Sequence, residues 1–197
     1  MSSDRGTLNV LGDAVFVVLS VPVAALHGFD DDGDGLLSRP ELEAHHDALR
    51  DEIDRRFAVL DGETPARTVA LDLMLSPDHE VAQDRAPQLI ALKHAAFASP
   101  PTRLTVRSDL LRDLPDARTI ELTASRNPPS GPEHETATLR RGVTEHRWFA
   151  PRGAALAAGG RGASAQRVGL RGAVAAGLAA LAAASAWAVA RRRRLAG

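Results

Sequence analysis

Residues 30–41 read DDDGDGLLSRPE, and four of their carboxylates fall at positions 1, 3, 5 and 12 of the stretch (Asp30, Asp32, Asp34 and Glu41). Gly35 stands at position 6, Leu36 at 7 and Ser38 at 9. Alternate acidic side chains on a tightly coiled loop converge on one side, and a glycine permits the sharp turn between them. Such a set offers only oxygen donors, which suit a hard divalent cation that takes six to eight of them. The spacing predicts a Ca²⁺ site. Asp30, Asp32 and Asp34 supply side-chain oxygens, Leu36 its backbone carbonyl, Ser38 a direct or water-mediated oxygen, and Glu41 a bidentate carboxylate. Four carboxylates this close repel one another, so the metal-free loop is expected to be strained or mobile. Asp31 adds charge but points away from the site.

The same residues start a helix. Ser38-Arg39-Pro40-Glu41 has capping-box spacing, with proline at a permitted early helical position. Leu42, Leu49, Ile53 and Phe57 then recur on one face, which predicts an amphipathic helix over residues 40–57. Residues 22–29 are expected to form a short entering helix, weakened by Gly28. Together, residues 22–57 resemble a single EF-hand, and the resemblance implies a helix–loop–helix around Ca²⁺. Leu37 takes the place of the motif's apolar anchor. No second loop with the required glycine and spacing follows, so pairwise cooperativity is not expected. A lone loop is expected to be structural, or tuned to calcium near 10⁻⁴–10⁻³ M.

A second resemblance spans residues 7–150. The calcium loop, the Ala44-His45-His46-Asp47-Ala48-Leu49-Arg50 helix and the Leu104–Leu110 strand are similar to the extracytoplasmic domain of hydrogenase- and urease-accessory membrane proteins. It implies a domain type and an outside location. Those proteins carry many membrane helices, whereas one is expected here, so nickel or cobalt transport is not implied.

The remaining chemistry is sparse. There is no cysteine among the 197 residues, which excludes disulfides, thiolate zinc sites and cysteine nucleophiles. Net charge is −1, so no global field points to nucleic acid. No hydrolase elbow, P-loop or dinucleotide fingerprint occurs, and no enzyme activity is expected. Of the seven histidines, His45 stands four positions after Glu41 on the predicted helix. That pair has spacing for a transition metal, but Glu41 is committed to the loop, so both His45 and His46 read as exposed helix residues.

Around the loop, residues 1–21 read as a β-hairpin turning at Gly12-Asp13, with a signal segment over 14–26 as the alternative. Residues 58–151 show period-two alternation, as in Val69, Leu71, Leu73 and Leu75, with proline- and glycine-rich turns between segments. Residues 86–97 are open between helix and strand and lean to helix. Residues 152–171 read as a flexible linker. Residues 172–190 hold 19 residues without a charge, 11 of them alanine, followed by Arg191 to Arg194. A helix of that length reaches about 28 Å, near the hydrocarbon thickness. A transmembrane helix is therefore predicted at 172–190, with 191–197 as a basic cytoplasmic tail and the N-terminal domain outside. That orientation needs an export signal, supplied either by residues 14–26 or upstream of Met1.

The resulting expectation is an α+β fold. It has an antiparallel β-sandwich-like domain, an inserted helix–loop–helix, a linker and one C-terminal membrane helix. Its function is expected to be that of a membrane-anchored extracytoplasmic Ca²⁺-binding module, non-catalytic, with calcium mainly structural. An accessory part of a transition-metal or secretion system is the alternative, and a hydrolase with structural calcium is the outsider. The expected partners are calcium, the membrane, and a protein that the sequence does not identify.

Overall fold

The computed structural model describes residues 3–76 and 84–150. Strand accounts for 51% of the structure and helix for 14%, so the protein is mostly β. In chain order the strands begin with β1 (Ser3–Leu11) and β2 (Ala14–Pro22). A 3-10 turn (Val23–Ala25) follows, then β3 (Leu37–Ser38), α1 (Arg39–Ala44) and α2 (His46–Arg56). Next come β4 (Phe57–Asp61), β5 (Thr64–Pro65), β6 (Arg67–Leu75), β7 (Arg85–Ala86) and β8 (Gln88–Ala96). The last are β9 (Leu104–Ser108), β10 (Thr119–Arg126), β11 (Glu133–Arg140) and β12 (Glu145–Arg147).

These strands form a six-stranded sheet in the order β11-β10-β1-β2-β8-β6, a four-stranded sheet β12-β9-β4-β5 and the small pair β3-β7. β1 and β2 make a hairpin, pairing Leu11 with Ala14 around Gly12, whose φ of +62° only glycine adopts without cost. Along β2, Val15, Val17, Leu19 and Val21 are buried while the residues between them are part-exposed. That alternation places every second residue in the core. β1 also pairs with β10 in parallel, from Ser3 opposite Thr119 to Val10 opposite Arg126, so the N-terminal strand is central to its sheet. One core serves both sheets. Val17, Leu19 and Leu122 of the large sheet join Val59 and Val106 of the smaller one, and Leu49 and Ile53 of α2 reach into the same cluster.

Lys93, the sole lysine, lies buried on the inner face of β8. Its Nζ donates to the Phe57 carbonyl at 2.7 Å and pairs with Asp54 at 2.8 Å. The ammonium thus meets the C-terminal end of α2, where the helix dipole favours a cation. Its burial is tolerated because both partners are in place.

Several expectations are corrected. The α+β fold around a helix–loop–helix is not formed. A strand and a three-residue 3-10 turn lead into the loop in place of an entering helix. The exit helix is broken at His45 (φ −106°, ψ 10°), which separates α1 from α2. Residues 88–96, which leaned to helix by composition, are an inner strand between β2 and β6. Pairing on both sides overrides their alanine content, since strand preference depends on the neighbours more than on the residue. The single-pass membrane expectation is corrected as well. No helix among the described residues is long and apolar enough to cross a membrane. The segments expected as linker (152–171), membrane helix (172–190) and basic tail (191–197) lie outside the described residues.

Gly6 marks the tightest approach in the large sheet. A Cβ there stands 2.7 Å from Leu122 Cδ2, 2.9 Å from the Val18 carbonyl oxygen and 3.0 Å from Leu19 Cδ1. The carbonyl belongs to a paired strand and has little freedom to move. Gly6→Ala is expected to lower stability by about 1–3 kcal/mol, read as a reduced urea midpoint with an unchanged slope.

Candidate metal centre

The loop is held at both ends by one short strip of chain. Before it, the Val23 N–H donates to the Pro87 carbonyl at 3.0 Å. After it, β3 pairs with β7, Leu37 opposite Ala86 and Ser38 opposite Arg85, and the Arg39 N–H donates to the Asp84 carbonyl at 2.7 Å. Leu37 is fully buried and anchors this end in the core. A further tie comes from α2. The buried Arg56 donates from Nη1 to the Ala25 carbonyl at 2.8 Å, from Nε to Asp109 Oδ1 at 3.0 Å and from Nη2 to the Asp109 carbonyl at 2.7 Å. Arg56 thus joins the turn that enters the loop to the C-terminal end of α2.

Within the loop the carboxylates organise the backbone. Asp30 accepts from the Gly33 N–H through Oδ1 and from the Gly35 N–H through Oδ2, both at 2.8 Å. Asp32 Oδ1 accepts from the Asp34 N–H at 3.1 Å, and Asp34 Oδ1 from the Leu36 N–H at 2.8 Å. Gly33 (φ +72°) and Gly35 (φ +81°) supply the left-handed conformation that this coil requires. Glu41 reaches back across the whole loop. Its Oε1 accepts from the Asp31 N–H at 2.8 Å. Its Oε2 accepts from the Ser38 N–H at 2.7 Å and from the Ser38 hydroxyl at 2.6 Å. The Ser38 oxygen in turn accepts from the Glu41 N–H, completing the capping box of α1.

The structure brings Asp30, Asp32 and Glu41 together, with one carboxylate oxygen of each within 4.8 Å of the others. It does not bring the full expected set. Asp34 turns to Arg85, whose guanidinium contacts Asp34 Oδ2 and lies 3.2 Å from Asp32 Oδ2. The Ser38 hydroxyl is spent on Glu41, and Leu36 is half-buried with its N–H on Asp34. Asp31 points out of the loop, as expected, and both its oxygens lie 3.0 Å from His45 Nε2. His45 is therefore directed at Asp31 and not at Glu41. His46 sits beside Asp47, and His27 lies 4.0 Å from Asp113.

Arg85 is the residue that sequence reasoning misses. It belongs to a two-residue strand far along the chain, and no periodicity announces a strand so short. No family model matches the chain, and no curated protein matches it.

The hydrogen bonds have an electrostatic consequence. The Ser38 hydroxyl, then the Ser38 and Asp31 N–H groups, stabilise the Glu41 carboxylate and lower its pKa from 4.5 to about 2. Because the folded value is depressed, this stabilisation is fully present above the unfolded pKa of 4.5 and is lost as pH falls from there towards about 2. Ser38→Ala removes both the cap and the main cause of that depression. It is expected to cost about 1 kcal/mol near neutral pH. Acid unfolding, followed by circular dichroism, then begins at a higher pH than in the unsubstituted protein. An unchanged acid limb contradicts the role assigned to the Ser38 hydroxyl.

Proposed function

We propose that residues 30–41 bind a single Ca²⁺ and that the ion's role is structural, within a non-catalytic binding or accessory module. The observation that carries this reading is the convergence of Asp30, Asp32 and Glu41 oxygens within 4.8 Å of one another. Their donor set is all oxygen and anionic, which fits Ca²⁺ and offers nothing to softer metals. Asp34, the Leu36 carbonyl and Ser38 are the further groups expected to complete the shell. Mg²⁺ is disfavoured because it demands near-ideal octahedral geometry and gives up water reluctantly. The placement of His45 on Asp31 argues against the transition-metal alternative.

The structural role follows from what the loop joins. One end leaves β2 of the large sheet, and the other opens α1, whose capping box includes the loop carboxylate of Glu41. A cation there offsets the mutual repulsion of the acidic side chains and fixes strand to helix. With no second loop to pair with, affinity is expected in the weak range of about 10⁻⁴–10⁻³ M.

Calorimetric titration of the full chain with Ca²⁺ and Mg²⁺ tests this. Heat is expected for Ca²⁺ with one site, with far weaker Mg²⁺ binding. At calcium tenfold above Kd, the gain in stability is about 1.4 kcal/mol, seen as a higher Tm than in chelator. Asp30→Asn and Glu41→Gln are each expected to weaken binding by at least about tenfold, the loss of a charged ligand exceeding 1.4 kcal/mol. Equal Tm values in millimolar calcium and in chelator, together with no heat, sink the reading.

A further inference from the structure

We infer that Arg85 is a tethered cation that neutralises the loop when calcium is absent and competes with calcium for Asp32 and Asp34. This rests on the calcium reading of the loop. Three observations carry it. The guanidinium contacts Asp34 Oδ2 and lies 3.2 Å from Asp32 Oδ2, so one positive group bridges two of the carboxylates. Arg85 is held there by the backbone, since it pairs with Ser38 in the β3–β7 ladder and its neighbour Asp84 accepts from the Arg39 N–H. Asp34 is missing from the convergent set of Asp30, Asp32 and Glu41, and the partner it has instead is Arg85.

The geometry separates two jobs. Asp30 and Glu41 spend their oxygens on backbone N–H groups and hold the loop's shape. Such bonds leave a carboxylate free to keep its charge and to accept a cation as well. Asp32 and Asp34 each give Oδ1 to a backbone N–H as well, but their Oδ2 atoms face a guanidinium. A guanidinium and a metal ion cannot share those oxygens at close range, because both are cations. Calcium entry therefore requires Arg85 to swing away while its backbone stays in the ladder. Its side chain is about two-fifths exposed, so solvent is available to it. The cost of that exchange sets the affinity, and the energy returned by Arg85 explains how an acidic loop stays folded without metal. Arg85 is thus an affinity-determining residue outside the twelve-residue loop.

The test compares the full chain with Arg85→Gln, Arg85→Lys and the control Arg39→Gln, each titrated with CaCl₂ alone. Two exposed ion pairs of ordinary strength correspond to about threefold to tenfold in affinity. Arg85→Gln is expected to tighten Ca²⁺ binding by that factor. It should also lower Tm in chelator while matching or exceeding the parent Tm in saturating calcium, so the sign of its effect reverses with metal. Arg85→Lys keeps the charge and is expected to stay within about twofold of the parent. Arg39→Gln removes an equal charge from an exposed position within the twelve-residue stretch itself, and is expected to shift affinity by less than about twofold. If Arg85→Gln binds calcium no more tightly than the parent, or if Arg39→Gln tightens it equally, the competition is overturned and the calcium site stands. If neither parent nor Arg85→Gln binds calcium, the metal reading itself falls and the competition falls with it.

Discussion

The Glu41 carboxylate is the interaction on which the acidic loop depends. Its two oxygens reach the first peptide of the loop, at Asp31, and the last, at Ser38, so one side chain closes the coil across ten residues. The same side chain completes the cap of α1. A carboxylate accepting three such bonds remains ionised far into acid, as the depression of its pKa to about 2 expresses. The loop's shape is therefore set by charge–dipole contacts internal to it. Packing enters only through Leu37, the single loop residue fully in the core.

That local closure has to be connected to the body of the protein, and the connections come from three polar ties that lie well after the loop in sequence. The 84–87 strip stitches both ends of the loop with backbone bonds. Asp109 holds Arg56, which holds Ala25. Lys93 holds the end of α2 through Phe57. Two of the three place a buried cation against backbone carbonyls, and each is satisfied by a carboxylate as well. Removing either partner leaves an uncompensated buried charge, which is why such pairs weigh more in position than in net stability. The two helices are short, and α1 has only six residues. Helices of that length do not persist by themselves, so α1 stands on its cap and on β3.

The Ser38–Glu41 capping box was legible from sequence because its signal is local and chemically specific. Asp30, Asp32 and Glu41 meet, and the capping box forms with the residues that the spacing named. The Gly12-Asp13 turn was equally local, and a strand was legible at β6, although a register shift between Thr68 and Ala70 leaves Val69 exposed. What was not legible depended on distant partners. Residues 22–29 looked like a short helix because Pro22 suits a first helical turn, yet Val23 finds its hydrogen-bond partner at Pro87, and the chain turns there after a single 3-10 unit. The alanine-rich run over β8 carries helix propensity, but it is flanked by β2 and β6 and buries Leu89, Ala91 and Ala95 on one side. Parallel pairing of β1 with β10 joins segments over a hundred residues apart, and no pattern within either strand specifies it. The membrane expectation came from composition alone, on residues outside those described, and no helix among the described residues supports it.

The short strand β7 changes what kind of device the loop is. In a pair of metal loops, the strand after each binding turn meets its counterpart in the other, and filling one site is felt by its twin. Here the strand after the turn meets residues 85–86, which lead straight into β8 through Pro87 and Gln88. That pairing ties Leu37 and Ser38 to the start of β8 in the large sheet. Arg85 of the same pair also carries the side chain that faces Asp32 and Asp34. Backbone register and electrostatic balance at the loop are therefore set by one dipeptide, and the loop's charge is answered from within the fold.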